Sequence, residues 1–206
     1  MNTKKNDMSA IDKAINIIRQ KKGLIRTSEA IRNGIHPRIL YALRDSEKIE
    51  QISRGLYRLS ELDALSNYDV VTVASRVPNA VLCLISALSF HKLTTQIPHA
   101  VSIAIGRNSK IPKIHFPPVS VHRFSDESFS HGIEIHIVDG VNVRVYSAEK
   151  TLVDCFKFRK KIGMDVVLEA LKFYKSRHKI NIDKLIEYAR ICRVEKIMTP
   201  YLEASL

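Results

Sequence analysis

Residues 34–59, "GIHPRILYALRDSEKIEQISRGLYRL", decide the fold of the N-terminal part of the chain. Pro37 suits the first position of a helix, and Ile39, Leu40 and Leu43 share one helical face. Two short alternating segments follow and meet at Arg54-Gly55, where glycine supplies the positive φ that a tight hairpin needs. The stretch therefore predicts a helix followed directly by a β-hairpin.

Two further helices are predicted upstream of this stretch. Residues 9–20 form an amphipathic pattern that we expect to begin at Asp7 or Ser9. Thr27 is the predicted N-cap of a second short helix, which Gly34 ends so that Ile35 can fold back onto it. Three helices and a hairpin predict a winged helix-turn-helix over residues 1–62, in which the third helix enters the major groove of DNA.

The charge distribution favours a polyanionic partner for this segment. The chain of 206 residues carries a net charge of +12, and residues 19–58 hold ten Lys or Arg against four Asp or Glu. Such a surplus is typical of nucleic-acid binding, although many basic proteins bind none. The predicted DNA contacts are Thr27, Ser28, His36, Arg38, Tyr41, Arg44, Arg54 and Arg58.

Residues 67–206 predict a second domain of α+β class, joined to the first by the polar segment 60–69. Helices are expected on both sides of Pro78. Four strand-like segments follow at 100–105, 119–124, 133–138 and 141–146, for which we predict an antiparallel sheet. Asp139-Gly140 is a strong hairpin signal, and helices are expected from Ser147 to about 159, near 164–178, near 182–193 and after Pro200.

Catalytic and metal-binding interpretations are weaker. The eight histidines show no zinc-hydrolase spacing, and His91 is expected to satisfy backbone carbonyls, so no metal and no cofactor is predicted. Asp126, Glu127, Glu134 and His136 resemble the carboxylate set of a Mg²⁺-dependent nuclease, but "EIH" lacks the lysine of that set. Lys150 and Asp154 are explained by a helical ion pair.

The last two sequence features are a basic cluster in the second domain and a set of observations that bear on the cell compartment. Lys157, Arg159, Lys160 and Lys161 form either a solvated face or a second nucleic-acid contact. Three scattered cysteines, no apolar run of membrane-spanning length and no secretion signal predict a cytoplasmic protein with buried thiols.

Three segments together resemble a known family. They are "GLIRTSEAIRNGIHPRILYALRDSEKIEQISRGLYRL" (23–59), "SALSFHKLTTQIPHAVSIAI" (86–105) and "VRVYSAEKTLVDCFKFRKKIG" (143–163). The chain is similar there to the AbiE-type (AbiEi-like) abortive-infection antitoxins of type IV toxin–antitoxin systems. Lys92 departs from the pattern, because the family favours a small residue after His91.

The resemblance implies a function and a set of partners. It implies a repressor that binds inverted repeats in its own operon and antagonises a nucleotidyltransferase toxin in phage defence without a stable complex. From the charge and the apolar surface of residues 67–206 we predict that the chain self-associates on DNA, and from the residues weighed above we predict no catalytic centre. The alternative from the residues is a Mg²⁺-dependent nuclease with a winged-helix targeting domain, which would need two carboxylates and a lysine converging in one pocket.

Overall fold

Helices and short strands alternate along the first part of the computed structural model, which describes residues 2–62, 67–177 and 180–204, with side chains from Ala10 onward. The chain divides into two compact units, of which the first comprises Met1–Arg76 with Val138–Val141 and the second comprises Val77–Ile137 with Asn142–Leu206. The mixed α and β content agrees with the predicted α+β class.

The described residues of the N-terminal unit form four helices and three strands. In chain order they are α1 (Asn2–Gln20), β1 (Leu24–Arg26), α2 (Thr27–Arg32), α3 (Pro37–Asp45), β2 (Ile49–Ser53), β3 (Leu56–Leu59) and α4 (Tyr68–Arg76). The strands form a sheet of order β1-β3-β2, in which both neighbours of β3 are antiparallel to it. The predicted helices and hairpin are therefore present, whereas β1 was not predicted and α1 begins earlier than expected.

One large apolar cluster packs the helices of this unit against its sheet, and Leu24, Ile52 and Leu56 form a smaller cluster. The helices and the sheet contribute side chains that are almost fully buried: Ala14, Ile18, Ile25, Ala30, Ile35, Leu40, Leu43, Ile49, Tyr57 and Leu59. Ile35 folds back as predicted, because its N–H donates to the carbonyl of Ala30 at 2.9 Å after Gly34 has taken a positive φ of 80°. The buried faces of α1 and α3 are those that the sequence periodicity predicts.

Helix α4 belongs with the N-terminal unit. The Tyr68 hydroxyl donates to the carbonyl of Ile52 at 2.8 Å, and the Arg26 guanidinium donates to the carbonyl of Ser75. The break between the compact units thus follows Arg76, whereas the sequence places a joint at 60–69. Residues 63–66 of that joint lie outside the described residues, and the division into functional domains at 62 and 67 stays a prediction.

The C-terminal unit is built around a five-stranded sheet. Its strands and the helices between them are β4 (Val81–Leu82), α5 (Leu84–Phe90), β5 (Val101–Gly106), β6 (Val119–Phe124), α6 (Asp126–Ser130), β7 (Ile133–Val138) and β8 (Val141–Tyr146). The helices that follow in the described ranges are α7 (Ala148–Lys157), α8 (Arg159–Ile162), α9 (Met164–Arg177), α10 (Ile182–Ile191) and α11 (Glu195–Glu203). Strand β4 replaces the start of a predicted helix, and Pro200 lies inside α11 rather than at its start.

The prediction of an antiparallel sheet is wrong for this unit. The strand order is β6-β5-β4-β8-β7, with β4 antiparallel to β5 but parallel to β8, and with β5 parallel to β6. The proline-punctuated segment 107–118 connects β5 to β6, and a connection of that length lets the chain return to the same end of the sheet. The sheet is therefore mixed.

Helix α7 is the centre of the C-terminal core. Every residue from Ala148 to Phe156 except Glu149 is buried, and the Ser147 hydroxyl caps the helix by accepting from the N–H of Lys150 at 3.2 Å, as predicted. The three cysteines are free and buried, also as predicted. No helix in the described ranges is long and apolar enough to cross a membrane.

Candidate nucleic-acid interface

The turn between β2 and β3 is fixed to the start of α2. The N–H of Thr27 donates to the carbonyl of Gly55 at 2.9 Å, and the Thr27 hydroxyl donates to the same oxygen at 3.4 Å. Gly55 has a φ of 74°, as the tight turn requires. Thr27 is thus not the predicted N-cap, because α2 is capped by Arg26 without a side-chain hydrogen bond. Its hydroxyl instead helps to hold the turn in place, while Ser28 is exposed.

Helix α3 has a buried face and an open face. Leu40 and Leu43 are buried, whereas Arg38 and Tyr41 are exposed, Tyr41 to 48%. His36 precedes the helix and caps it, since its Nδ1 accepts from the N–H of Arg38 at 3.2 Å. The predicted contact His36 therefore orients the first turn of α3 while its ring stays exposed.

The arginines of this unit fall into paired and unpaired groups. Arg44 lies 2.8 Å from Asp45, which raises the pKa of the guanidinium through a hydrogen bond, and it also lies 5.4 Å from the centre of the Tyr41 ring. In contrast, Arg38 and Arg54 are exposed, and their guanidinium groups have no hydrogen-bond or ion-pair partner among the described residues. Among the arginines predicted to contact DNA, these two are the most available to a phosphate or a base.

Arg58 does not fit its predicted role. Its side chain is only 7% exposed, and Nη1 lies 2.8 Å from Oε1 of Glu50, the residue opposite it on β2. The reason is that β3 is the central strand of the sheet, so Arg58 is covered where a hairpin strand would have left it open. We therefore remove Arg58 from the candidate interface and assign it to the stability of the sheet.

The second basic cluster lies at the end of α7 and in α8. Lys157, Lys160 and Lys161 are exposed, and the Lys161 ammonium lies 5.8 Å from the centre of the Phe158 ring. The Arg159 guanidinium donates to the carbonyl of Phe156 at 2.9 Å, so it closes the end of α7 rather than reaching outward. Three of the four predicted residues thus form an exposed cationic segment, whose ligand stays a prediction.

The residues of the nuclease alternative are not gathered into one site. Glu134 and His136 are neighbours on β7, 2.9 Å apart, whereas Asp126 and Glu127 open helix α6. Within the described ranges, no group of three or more His, Cys, Asp or Glu side chains is placed to hold a metal ion. His91 Nε2 lies 2.7 Å from the carbonyl of Tyr146, which is the structural role predicted for it.

Two charged features were not anticipated. Lys150 and Asp154 form the predicted helical ion pair, but both side chains are completely buried, with Nζ 2.7 Å from each carboxylate oxygen. Burial raises the pKa of Asp154, and the adjacent ammonium opposes that shift.

The second feature is a segment without carboxylates. Residues 70–125 contain no Asp or Glu but six Lys or Arg. Four of those cations are exposed on or beside the β5–β6 connection, namely Arg107, Lys110, Lys113 and Arg123. A count of carboxylates along the chain would have found this second feature.

Comparison with known proteins agrees with the N-terminal assignment. Residues 12–60 match the family model described as "Transcriptional regulator, AbiEi antitoxin". This match confirms the AbiEi-type resemblance and supports a DNA-binding antitoxin regulator. No curated protein matches the chain.

A solved structure extends the likeness to most of the chain. The crystal structure of the RV2827C protein from Mycobacterium tuberculosis superposes with a TM-score of 0.56 at 12% sequence identity. The match covers 91% of this chain and 77% of that one. At this identity the likeness concerns the fold alone.

Proposed function

We propose that this chain is a sequence-specific DNA-binding repressor of its own operon that also acts as the antitoxin of a nucleotidyltransferase toxin in phage defence. The observation that supports the DNA-binding part is that the guanidinium groups of Arg38 and Arg54 are exposed and have no partner in the part of the chain that the structure describes. One lies on the open face of α3, and the other lies in a turn held to the start of α2. We assign no catalytic step to the chain.

The proposed binding mode is that of a winged helix-turn-helix. Helix α3 enters the major groove, where a planar guanidinium such as that of Arg38 pairs with O6 and N7 of guanine. Tyr41, beside it on the same face, adds apolar and hydroxyl contacts. The β2–β3 hairpin is the wing, and Arg54 at its tip contacts phosphate or the minor groove.

Held by Thr27, the wing tip needs little reordering on binding. The two hydrogen bonds to the Gly55 carbonyl restrict the turn before DNA arrives. A contact group that is already ordered costs less conformational entropy when it binds. Arg44 contributes less than Arg38 in this proposal, because its guanidinium must first leave Asp45.

The DNA-binding proposal is tested by measuring affinity for two duplexes. One spans the DNA immediately upstream of the coding sequence, and the other is a random-sequence duplex of the same length. We expect the full chain to prefer the upstream duplex by about 10³-fold or more, and the variant Arg38→Ala/Arg54→Ala to lose most of that preference. Arg19→Ala is the matched control, because Arg19 is an exposed arginine of the same unit that is paired with Glu61. Equal affinity of the unmodified chain for both duplexes would contradict the proposal.

The antitoxin part has its own test. The resemblance implies that the antitoxin counteracts the toxin without a stable complex, and we propose that this protection takes place in the cytoplasm and belongs to residues 67–206, so it should not require operator binding. We expect the Arg38→Ala/Arg54→Ala chain, expressed from an independent promoter, to protect cells from the neighbouring toxin as well as the unmodified chain does. Death of those cells, with survival of cells that hold the unmodified chain, would mean that protection depends on DNA binding.

A further inference from the structure

Strand β7 ends the five-stranded sheet and leaves apolar side chains in solvent. Its sequence, Ile133–Val138, contains neither Pro nor Lys, the residues that usually protect an edge strand from pairing. Ile135 is 67% exposed and Ile137 is 62% exposed, whereas Ile133 packs against the core. An edge of this kind favours the addition of another strand.

The backbone groups available at this edge can be identified. The N–H of Ser147 donates to the carbonyl of Gly132 at 2.7 Å, and the two-residue turn at Asp139-Gly140 continues the same register along the hairpin. The even-numbered residues of β7 therefore bond to β8. The N–H and C=O groups of Ile133, Ile135 and Ile137 face the open edge.

The strand is complementary to itself in one antiparallel register. If a two-fold axis passes through Ile135, Ile133 of one copy pairs with Ile137 of the other, and the two Ile135 residues pair with each other. All six isoleucines then use the backbone groups that face the edge. Glu134 of each copy falls opposite His136 of the other, at a non-hydrogen-bonded position where side chains approach most closely.

In this register, Glu134 and His136 side chains alternate along one face of the strand pair. Glu134 already lies 2.9 Å from His136 of its own strand, on one face of β7. In the paired arrangement each carboxylate has an imidazole beside it on its own strand and another across the axis. Like charges are not placed opposite each other anywhere in the pair, and the three isoleucines of each copy meet on the other face.

We propose that two copies of this chain associate through antiparallel pairing of their β7 strands about Ile135. The contact consists of one strand pair and the exposed isoleucines, which is small for a permanent dimer. Association in solution should therefore be weak, on the order of micromolar or weaker. Dimerisation through β7 does not require DNA binding, because the paired residues belong to the C-terminal unit, and it is measured without DNA.

The primary test is sedimentation equilibrium of the full chain over a range of concentrations. We expect reversible dimerisation, and we expect Ile135→Lys to weaken it by about tenfold or more, because the two introduced ammonium groups face each other on the axis. Ile97→Lys is the matched control, since Ile97 is an 84% exposed isoleucine of the same unit away from β7. Circular dichroism of each variant checks that it is folded. A chain that stays monomeric, or a dimer that Ile135→Lys does not weaken, would overturn the proposal.

A mixing experiment tests the register itself. The Glu134→Lys chain alone places the introduced lysine opposite His136, and the His136→Glu chain alone places two carboxylates opposite each other. Both should dimerise less than the unmodified chain. When the two are mixed, lysine faces glutamate at one position and His136 faces Glu134 at the other, so a mixed dimer should form. Failure of the mixture to dimerise more than either chain alone would overturn the pairing about Ile135.

Discussion

The open face of α3 and the interior of α7 use charged residues in opposite ways. On α3 the Arg38 guanidinium is exposed and has no partner in the described residues, and Arg44 contacts only side chains of the same helix that are themselves exposed, Asp45 and Tyr41, within the described ranges. In α7 the Lys150–Asp154 pair is fully buried, and the ammonium lies 4.3 Å from the centre of the Tyr146 ring. Exposed charges keep their hydration until a ligand arrives, whereas the buried pair has given up hydration during folding. Charged side chains therefore serve the packing of the core in the C-terminal unit, whereas we expect them to serve ligand binding in the N-terminal unit.

The largest expected effect concerns the buried pair. Lys150→Met leaves Asp154 inside the core without a cation, so we expect the free energy of unfolding to fall by about 3–5 kcal/mol. In Lys150→Met/Asp154→Leu most of that stability should be recovered, because no charge remains buried. Urea denaturation of the full chain measures both. Lys160→Met, at an exposed position, should change stability by less than about 0.5 kcal/mol. A decrease below about 1 kcal/mol for Lys150→Met would remove the contrast between the two regions.

Within α3, a paired and an unpaired arginine can be compared directly. Arg38→Ala should weaken binding to the upstream duplex by about 1–3 kcal/mol with little change on random DNA, because the variant cannot hydrogen-bond to a base. Arg44→Ala should cost less, since breaking its pair with Asp45 offsets part of the binding energy that it supplies. Fluorescence anisotropy on the two duplexes gives these values. An equal decrease on both duplexes for Arg38→Ala would restrict Arg38 to phosphate contact.

A third comparison uses the two arginines of the hairpin. Arg54→Met should reduce the slope of log K against log salt by about 0.9 for each phosphate that the chain no longer neutralises, and should leave stability unchanged within about 0.5 kcal/mol. Arg58→Met should instead lower stability and leave the salt dependence of binding unchanged, because Arg58 is buried and paired with Glu50. We expect it to lower the free energy of unfolding by about 1 kcal/mol with an unchanged salt slope. A reduced slope for Arg58→Met would return Arg58 to the interface.

The smallest expected effect on stability concerns His122, whose side chain is half-buried. The pKa of His122 is lowered by burial and by the nearby Lys161. The unfolded chain therefore binds more protons than the folded chain between the lowered pKa and the ordinary histidine value of about 6.5. The contribution of His122 to the free energy of unfolding is therefore fully present above about pH 6.5 and declines as the pH falls through this window. After screening by solvent, the contribution should be on the order of a few tenths of a kcal/mol.

His122→Gln provides the comparison, because it cannot take up the proton. Urea denaturation at about pH 8 and about pH 5 should show that the unmodified chain loses slightly more stability than the variant on acidification. If the variant loses as much as the unmodified chain, His122 is not the group responsible.

Sequence patterns predicted the elements with strong periodicity and missed the short ones. Helix α3, the turn at Arg54-Gly55, the hairpin at Asp139-Gly140 and the cap at Ser147 were all predicted, since each depends on local conformational preference. Strand β1 has three residues and β4 has two, which is too short for a period to appear. The parallel pairing of β5 with β6 depends on contacts distant in sequence, which no local pattern contains.

One missed strand also explains the error at Arg58. Without β1, β3 was expected to be an outer strand of a hairpin, with its polar side chains in solvent. Because β1 pairs with β3, all four residues of β3 are buried, and Arg58 is covered between its neighbours while it pairs with the half-exposed Glu50 of β2. The burial of Lys150 was missed for a related reason. A helix surrounded on all sides by other elements has no solvent face for its polar residues to mark, so its charges resemble those of an exposed helix.

The buried pair in α7 also constrains how this sequence can change over generations. Domains of this size are stable by only about 5–15 kcal/mol, so removal of either Lys150 or Asp154 alone would take away a large share of that margin. A route through one change at a time crosses a poorly folded intermediate, while a joint replacement by apolar residues does not. Descendant sequences should therefore keep both charges or lose both together, even though neither side chain can touch DNA or a toxin.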